Sequence, residues 1–254
     1  MSELVSLTIH QSGVAEIVVD RPERHNAMTL DMYKSLLTLI AECAKNSGVR
    51  CVLFRGTGGK SFMSGTDIAY FRDFRNGRDG VAYEAFVERV IDTVERIAVP
   101  TVAVIDGWAV GGGLALATAC DFRLCSDGSR FGAPIAKTLS NTLSSRNIAR
   151  LYAALGVPQV KKMLLLAEYL TAHEALACGY VYDVCSQDTL QDDAHTLAQR
   201  LMALSPVTQK AVKESLRRIV VEQRLDDEDL IEEVYGSARF KDAVVAFTSG
   251  SSKK

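Results

Sequence analysis

Two short stretches hold the residue types best suited to chemistry. The first is "DGWAVGGGLALATACD" (106–121), in which Gly111, Gly112 and Gly113 sit between two apolar runs. Glycines at a strand-to-helix turn leave backbone N–H groups uncovered by side chains. A helix start adds its own unpaired donors and the positive end of its dipole. Together they make a site for an anion or for an oxyanion formed during reaction. Tight packing, where any side chain would clash, explains the same glycines equally well. A phosphate loop of the Walker type needs Lys-Ser/Thr after its last glycine, and Leu114-Ala115 follow here. The glycine spacing of a dinucleotide fingerprint is also not met. The second stretch is "SFMSGTDIAY" (61–70), whose turn Ser64-Gly65-Thr66-Asp67 offers another exposed piece of backbone.

The elements that must position these turns read as an α/β domain. "VSLTIHQ" and "AEIVVD", separated by "SGV", predict a β-hairpin. Thr29 is a suitable N-cap for a helix from Leu30 to Asn46. "RCVLFRG", "TVAVID" and "DFRLCS" are short apolar runs that read as buried strands. Residues 56–80 read as loop, and a helix is expected over 81–98, stopped by Pro100. Beyond residue 140 helices are expected at 145–155, 158–166, 171–178, 188–204, 206–222 and 227–247, with "YVYDVC" as one strand among them. The alternation of strand and helix implies a parallel sheet. A seam near 196–206 divides a core at 1–196 from a helical region at 197–254, and the terminal "SGSSKK" reads as a disordered tail.

Composition narrows the function. The chain has 254 residues, 48% hydrophobic and 24% charged, enough for a sizeable core. A net charge of −2 argues against nucleic acid or an anionic membrane as partner. The six cysteines form no CxxC pair and the four histidines lack metal-ligand spacing, so reduced thiols, no metal and a cytoplasmic location are expected. "MSELVSLTIHQSG" lacks the features of a signal peptide, and no apolar run is long enough to span a bilayer.

Several motifs in order resemble the crotonase, or enoyl-CoA hydratase/isomerase, family. Arg21-Pro22 with Asn26-Ala27-Met28 resembles R-P-x-x-x-N-A-[LM]. Phe62 and Ser64 to Ile68 resemble F-x-[AS]-G-x-D-[LI]. Asp106 to Asp121 resembles the family's [DN]-G-x-[AC]-x-G-G-G-x-x-L-x-x-x-C-D. "FGAP" (131–134) and "LTAHEALACGYVYDV" (170–184) follow in order, so the resemblance covers nearly the whole chain. It implies a spiral of ββα units, with a helical C-terminal region that forms homotrimers or hexamers. It also implies an acyl-CoA thioester substrate, with coenzyme A part of the substrate and no other cofactor. The thioester carbonyl would lie between the amides of Thr66 and Gly112, in the company of Gly65 and Gly111. Arg24 and the loop carrying Ser64, Asp67 and Ile68 would hold the nucleotide. Phe240 and Lys241 on the last helix would approach it, often from a neighbouring subunit.

The pattern departs from the resemblance at two positions. The hydratases of this family use two glutamates to handle a shared water. One stands two residues after the triple glycine, where this chain has Ala115. The other follows the proline of F-G-x-P-E, where Pro134 is followed by Ile135. Neither Ala nor Ile transfers a proton, so two-carboxylate hydration is not expected. Decarboxylation, isomerisation, C–C cleavage and hydrolysis through a thioester enolate remain open. So does a non-catalytic acyl-CoA-binding role. Asn141, among Ser140, Thr142, Ser144 and Ser145, is the polar residue placed by the resemblance where some members carry a catalytic group. The serines also fit as helix caps. Glu84, beside Tyr83 on the helix expected over 81–98, is an acid/base candidate, although the same position suits a solvated helix face. Lys137 is a further pocket candidate.

Overall fold

The computed structural model describes residues 4–249. Residues 250–254, most of the polar tail, lie outside the described residues. The chain opens with the expected hairpin, β1 (Val5–Ile9) against β2 (Val14–Val19), paired antiparallel. Then α1 (Leu30–Lys45) begins where Thr29 accepts the Met32 N–H. Three units of one kind follow: β3 (Cys51–Gly56), β4 (Ser61–Met63) and α2 (Gly77–Glu95); β5 (Thr101–Ile105), β6 (Trp108–Val110) and α3 (Gly112–Ala119); β7 (Phe122–Ser126), β8 (Arg130–Gly132) and α4 (Ser145–Leu165). The first strand of each joins a six-stranded sheet and the second a four-stranded sheet. The chain therefore winds as a spiral of ββα turns. The large sheet runs β1-β2-β3-β5-β7-β10, parallel from β2 onward, with β10 at Asp183–Cys185. The small sheet runs β4-β6-β8-β9, with β9 at Leu170–Thr171 antiparallel to β8.

Period-two alternation sends the large sheet's side chains into two cores. Val52, Phe54, Ala103 and Ile105 face one cluster with α1 to α4. Cys51, Leu53, Val102 and Val104 face another, covered by Leu190, Ala194, Leu197 and Leu201 of α6 (Leu190–Met202). The 196/197 division expected from sequence thus falls inside α6, whose apolar face closes this second core. A short α5 (Ala172–Ala177) precedes it. After it come α7 (Pro206–Arg217), a π-helical turn at Arg218–Glu222, α8 (Glu228–Gly236) and α9 (Ala238–Thr248). Among the described residues, no helix is long and apolar enough to cross a membrane.

Several expectations need correction. The stretch 56–80 is not all loop: it holds β4, a 3-10 turn at Ile68–Asp73, and the first turn of α2, whose capping box is Asn76 with Asp79. The strands β4, β6 and β8 are three residues each, too short to show a period. The single helix expected at 227–247 is two, because Ser237 is extended and caps α9 by accepting the Phe240 N–H. The two helices expected at 145–155 and 158–166 are, by contrast, borne out: α4 consists of two helices that meet at Gly156, whose φ of 71° and ψ of 161° leave the helical region.

Candidate functional site

The two glycine turns meet back to back. Gly65 has φ of 94°, and a Cβ there would stand 3.2 Å from both Gly112 N and Val110 O. The turn is fastened by Met28 N–H donating to Gly65 O and Asp67 N–H donating to Met28 O. Each glycine of the triple has its own reason. Gly111 adopts φ of 55° and ψ of −117°, open to few residues besides glycine. A Cβ on Gly112 would stand 2.8 Å from the Tyr33 hydroxyl, and one on Gly113 only 2.0 Å from Met63 O. The packing explanation and the donor explanation therefore hold together. Gly112 is the first residue of α3, so its N–H has no intrahelical partner. Among the described residues, neither Gly112 N–H nor Thr66 N–H donates to an acceptor in the chain.

Side chains crowd around this pair. Thr66 Oγ1 lies 3.0 Å from the Tyr33 hydroxyl and 2.6 Å from that of Tyr83. Tyr33 is buried under α3, its ring edge-on to Phe86. Glu84 is half-buried rather than solvated, and its Oε2 accepts the Ser144 N–H at 2.7 Å. Burial pushes its pKa up and the nearby Glu88 adds to this, while the Ser144 N–H opposes. Ser144 caps α4 by accepting the Asn147 N–H, and its hydroxyl donates to Glu88. Glu88 in turn holds Arg150.

The other predicted residues divide. Arg24 is exposed at the end of a 3-10 turn. Ser64 N–H donates to His25 O. The Asp67 carboxylate accepts from Arg21 at 2.8 Å and from the Ala69 N–H, so it ties the 64–68 turn to the segment at Arg21. These hydrogen bonds also hold its pKa below the usual range. Ile68 is exposed at the turn's tip. Asn141 is exposed in the 136–144 turn, without a hydrogen bond to the glycine turns among the described residues. The Phe240 ring lies 4.8 Å from that of Tyr235 of α8, tilted by 59°, and Lys241 is exposed on α9; no ring contact or hydrogen bond joins them to the glycine turns among the described residues. Of the four histidines, two meet: His10 and His195 each place Nε2 2.9 Å from Glu16 Oε1.

Comparison with known proteins now decides the family. The family model described as enoyl-CoA hydratase/isomerase matches residues 9–249. The chain belongs to the enoyl-CoA hydratase/isomerase family. It is 30% identical over 217 residues to a short-chain-enoyl-CoA hydratase of Clostridium acetobutylicum, covering 85% of this chain and 82% of that protein. It is 31% identical over 211 residues to a probable enoyl-CoA hydratase of Mycobacterium tuberculosis, covering 83% and 79%. Among solved structures, it resembles an enoyl-CoA hydratase/carnithine racemase from Magnetospirillum magneticum, with a TM-score of 0.87 at 28% identity, covering 98% of this chain and 94% of that one. The fold is that of the crotonases.

Within this crotonase fold the two expected glutamate positions are apolar in surroundings as well as identity. Ala115 is buried in α3, and Ile135 packs against the main core. What sequence reading left out is Tyr33. It stands four residues after Thr29 on a helix face otherwise buried and apolar, and only the fold shows that its hydroxyl reaches Thr66. A cavity of about 490 Å³ lies elsewhere, between α7 and the core beside Cys120, Arg123 and Lys213, and is not lined by Thr66, Glu84 or Gly112.

Proposed function

We propose that this family member binds an acyl-CoA thioester and stabilises its enolate between the amides of Thr66 and Gly112. The observation that carries the reading is the pair of undonated N–H groups on turns packed against each other. Fixed backbone dipoles meet negative charge without reorganising, and losing one such donor costs about 3 kcal/mol of transition-state stabilisation. No metal or redox group is needed for that step, so coenzyme A enters only as part of the substrate. With Ala115 and Ile135 in the glutamate positions, the reaction is an enolate reaction other than two-carboxylate hydration, in which Glu84 is the acid/base group. Its burial and raised pKa support that role. Arg24 and the 64–68 turn are assigned on this reading to the CoA nucleotide. The exposed apolar residues Val212, Leu216, Tyr235, Val245 and Phe247 on α7 to α9 support a homotrimer or hexamer, through which Phe240 and Lys241 would reach a neighbour's CoA. Six unpaired cysteines, four of them buried, suit a reducing, cytoplasmic setting.

The test pairs binding with turnover. Acyl-CoAs are expected to raise the melting temperature, and a panel of malonyl-type and β-keto-acyl-CoAs to show turnover that crotonyl-CoA hydration does not match. Rapid crotonyl-CoA hydration would overturn the claim about the missing glutamates. Binding without any turnover would favour the non-catalytic homologue. Gly112→Pro deletes the amide donor at a helix position that accepts proline. Its ring would press on Tyr33, so Tyr33→Phe is the matching background.

A further inference from the structure

Three hydroxyls form a chain beside the proposed thioester site: Tyr33, Thr66 and Tyr83, with oxygen separations of 3.0 and 2.6 Å. Three hydroxyls carry three protons, and two internal hydrogen bonds use two of them. One O–H is left to point out of the chain. Tyr33 is only 1% exposed and is wedged beneath Gly112. A leftover proton there would be a buried donor without an acceptor, which is costly, whereas an unused lone pair is tolerated. Tyr33 therefore donates to Thr66, whose own proton either turns outward while Tyr83 also donates to it, or is donated to Tyr83; the latter arrangement gives one continuous relay. In that relay the spare O–H falls on Tyr83, the half-buried end of the chain. That ring is held by Phe71, Tyr70 and Phe74, with centroids 4.9, 5.8 and 6.2 Å away. Its hydroxyl sits against Thr66, the residue whose amide is one of the two proposed donors.

We propose that Tyr83 is a catalytic residue, whose O–H is a third hydrogen-bond donor to the thioester oxygen as negative charge forms there, with Tyr33 and Thr66 as the positioning residues that aim it. The inference rests on the acyl-CoA reading above and adds a side-chain donor to its two amides. Burial keeps both phenols protonated: Tyr33 is pushed up to about 12, and Tyr83 is pushed further up by burial and by Tyr33 beside it. Tyr83 thus donates a hydrogen bond and keeps its proton, leaving proton transfer to Glu84. A charge forming on the acceptor aligns the three O–H dipoles in one direction, so each link strengthens the next.

The experiment uses the full chain and acetoacetyl-CoA, a β-keto thioester whose enolate absorbs in the near ultraviolet. The ratio of bound enolate to bound keto form reads charge stabilisation without turnover. Butyryl-CoA affinity reads plain thioester binding. Tyr83→Phe is expected to lower the enolate ratio by about tenfold, the value of a hydrogen bond to a charged group, with butyryl-CoA affinity changed less than about threefold. Thr66→Val cuts the chain but keeps the Thr66 amide, and is expected to reproduce most of that loss with the Tyr83 ring intact. Thr66→Ser restores the ratio. Tyr33→Phe gives a smaller loss in the same direction. A wild-type enolate ratio in both Tyr83→Phe and Thr66→Val would overturn the proposal while leaving the acyl-CoA reading in place. Failure of the wild-type protein to bind either thioester would remove that reading and this proposal with it.

Discussion

Two walls flank the glycine turns, and they handle carboxylates in opposite ways. On the α3 and β8 side, the positions expected to carry glutamates are Ala115, within the apolar core, and Ile135, packed against it. On the α2 and α4 side, α2 carries Glu84, Glu88 and Glu95, and the last two reach Arg150, which is buried. Within the second wall the carboxylates differ again. Glu88 and Glu95 each lie 2.9 Å from an Arg150 nitrogen. Glu84, one turn earlier, has the Ser144 N–H and no cation partner among the described residues. At Glu95 burial pushes the pKa up and Arg150 opposes it; at Glu84, among the described residues, no such cation opposes burial. An unpaired carboxylate in a half-buried setting binds its proton more readily and is available to exchange it. On the proposed reading, the proton-transfer group of this site stands on a different wall from the two apolar positions.

That contrast can be broken or sharpened by substitution. The largest effect is expected from Arg150→Met, which leaves buried Glu88 and half-buried Glu95 without this cation. Stability should fall by about 3–5 kcal/mol, the cost of orphaning a buried pair. Urea denaturation measures it, and a loss below about 1 kcal/mol would mean that the wall is not held by this pairing. Next comes Glu84→Gln. It should lower kcat on the substrate found by the panel by about a hundredfold, as loss of an acid/base group does, with denaturation midpoints little changed. Unchanged kcat would return Glu84 to a structural role at the α4 cap. The smallest effect is on pH dependence. The folded-state pKa of Glu84 lies above its ordinary 4.5, so the folded chain keeps this proton after the unfolded chain has released it. Its contribution to stability is therefore full below about 4.5 and is lost as pH rises through the folded value. Wild type should lose stability relative to Glu84→Gln across that window, and parallel stability–pH curves would contradict the burial assigned to Glu84.

Much of the positioning was legible along the chain. Thr29 marked the start of α1, Ser144 capped α4 as the serine-rich stretch allowed, and the apolar runs at 51–56 and 101–105 became central strands. The three glycines and the Ser64–Asp67 turn were visible as bare backbone because glycine and turn residues state local conformation directly. Short strands were not legible, since three residues carry no period, and the break at Ser237 was hidden in an otherwise helical pattern. Glu84 could be named but not weighed: a carboxylate on a helix looks the same in sequence whether its face meets water or a capping serine 60 residues later.

By itself, then, the sequence determined where backbone donors would be exposed and where carboxylates would be missing, because both follow from residue type at a fixed spacing. Only the tertiary structure decided which side chains gather beside the glycine turns. Tyr33, Thr66 and Tyr83 come from three separate elements, and a hydroxyl chain exists only once the spiral has brought α1, the 64–68 turn and α2 within hydrogen-bond reach. The same packing sets how buried Glu84 is, and burial, not identity, moves its proton affinity.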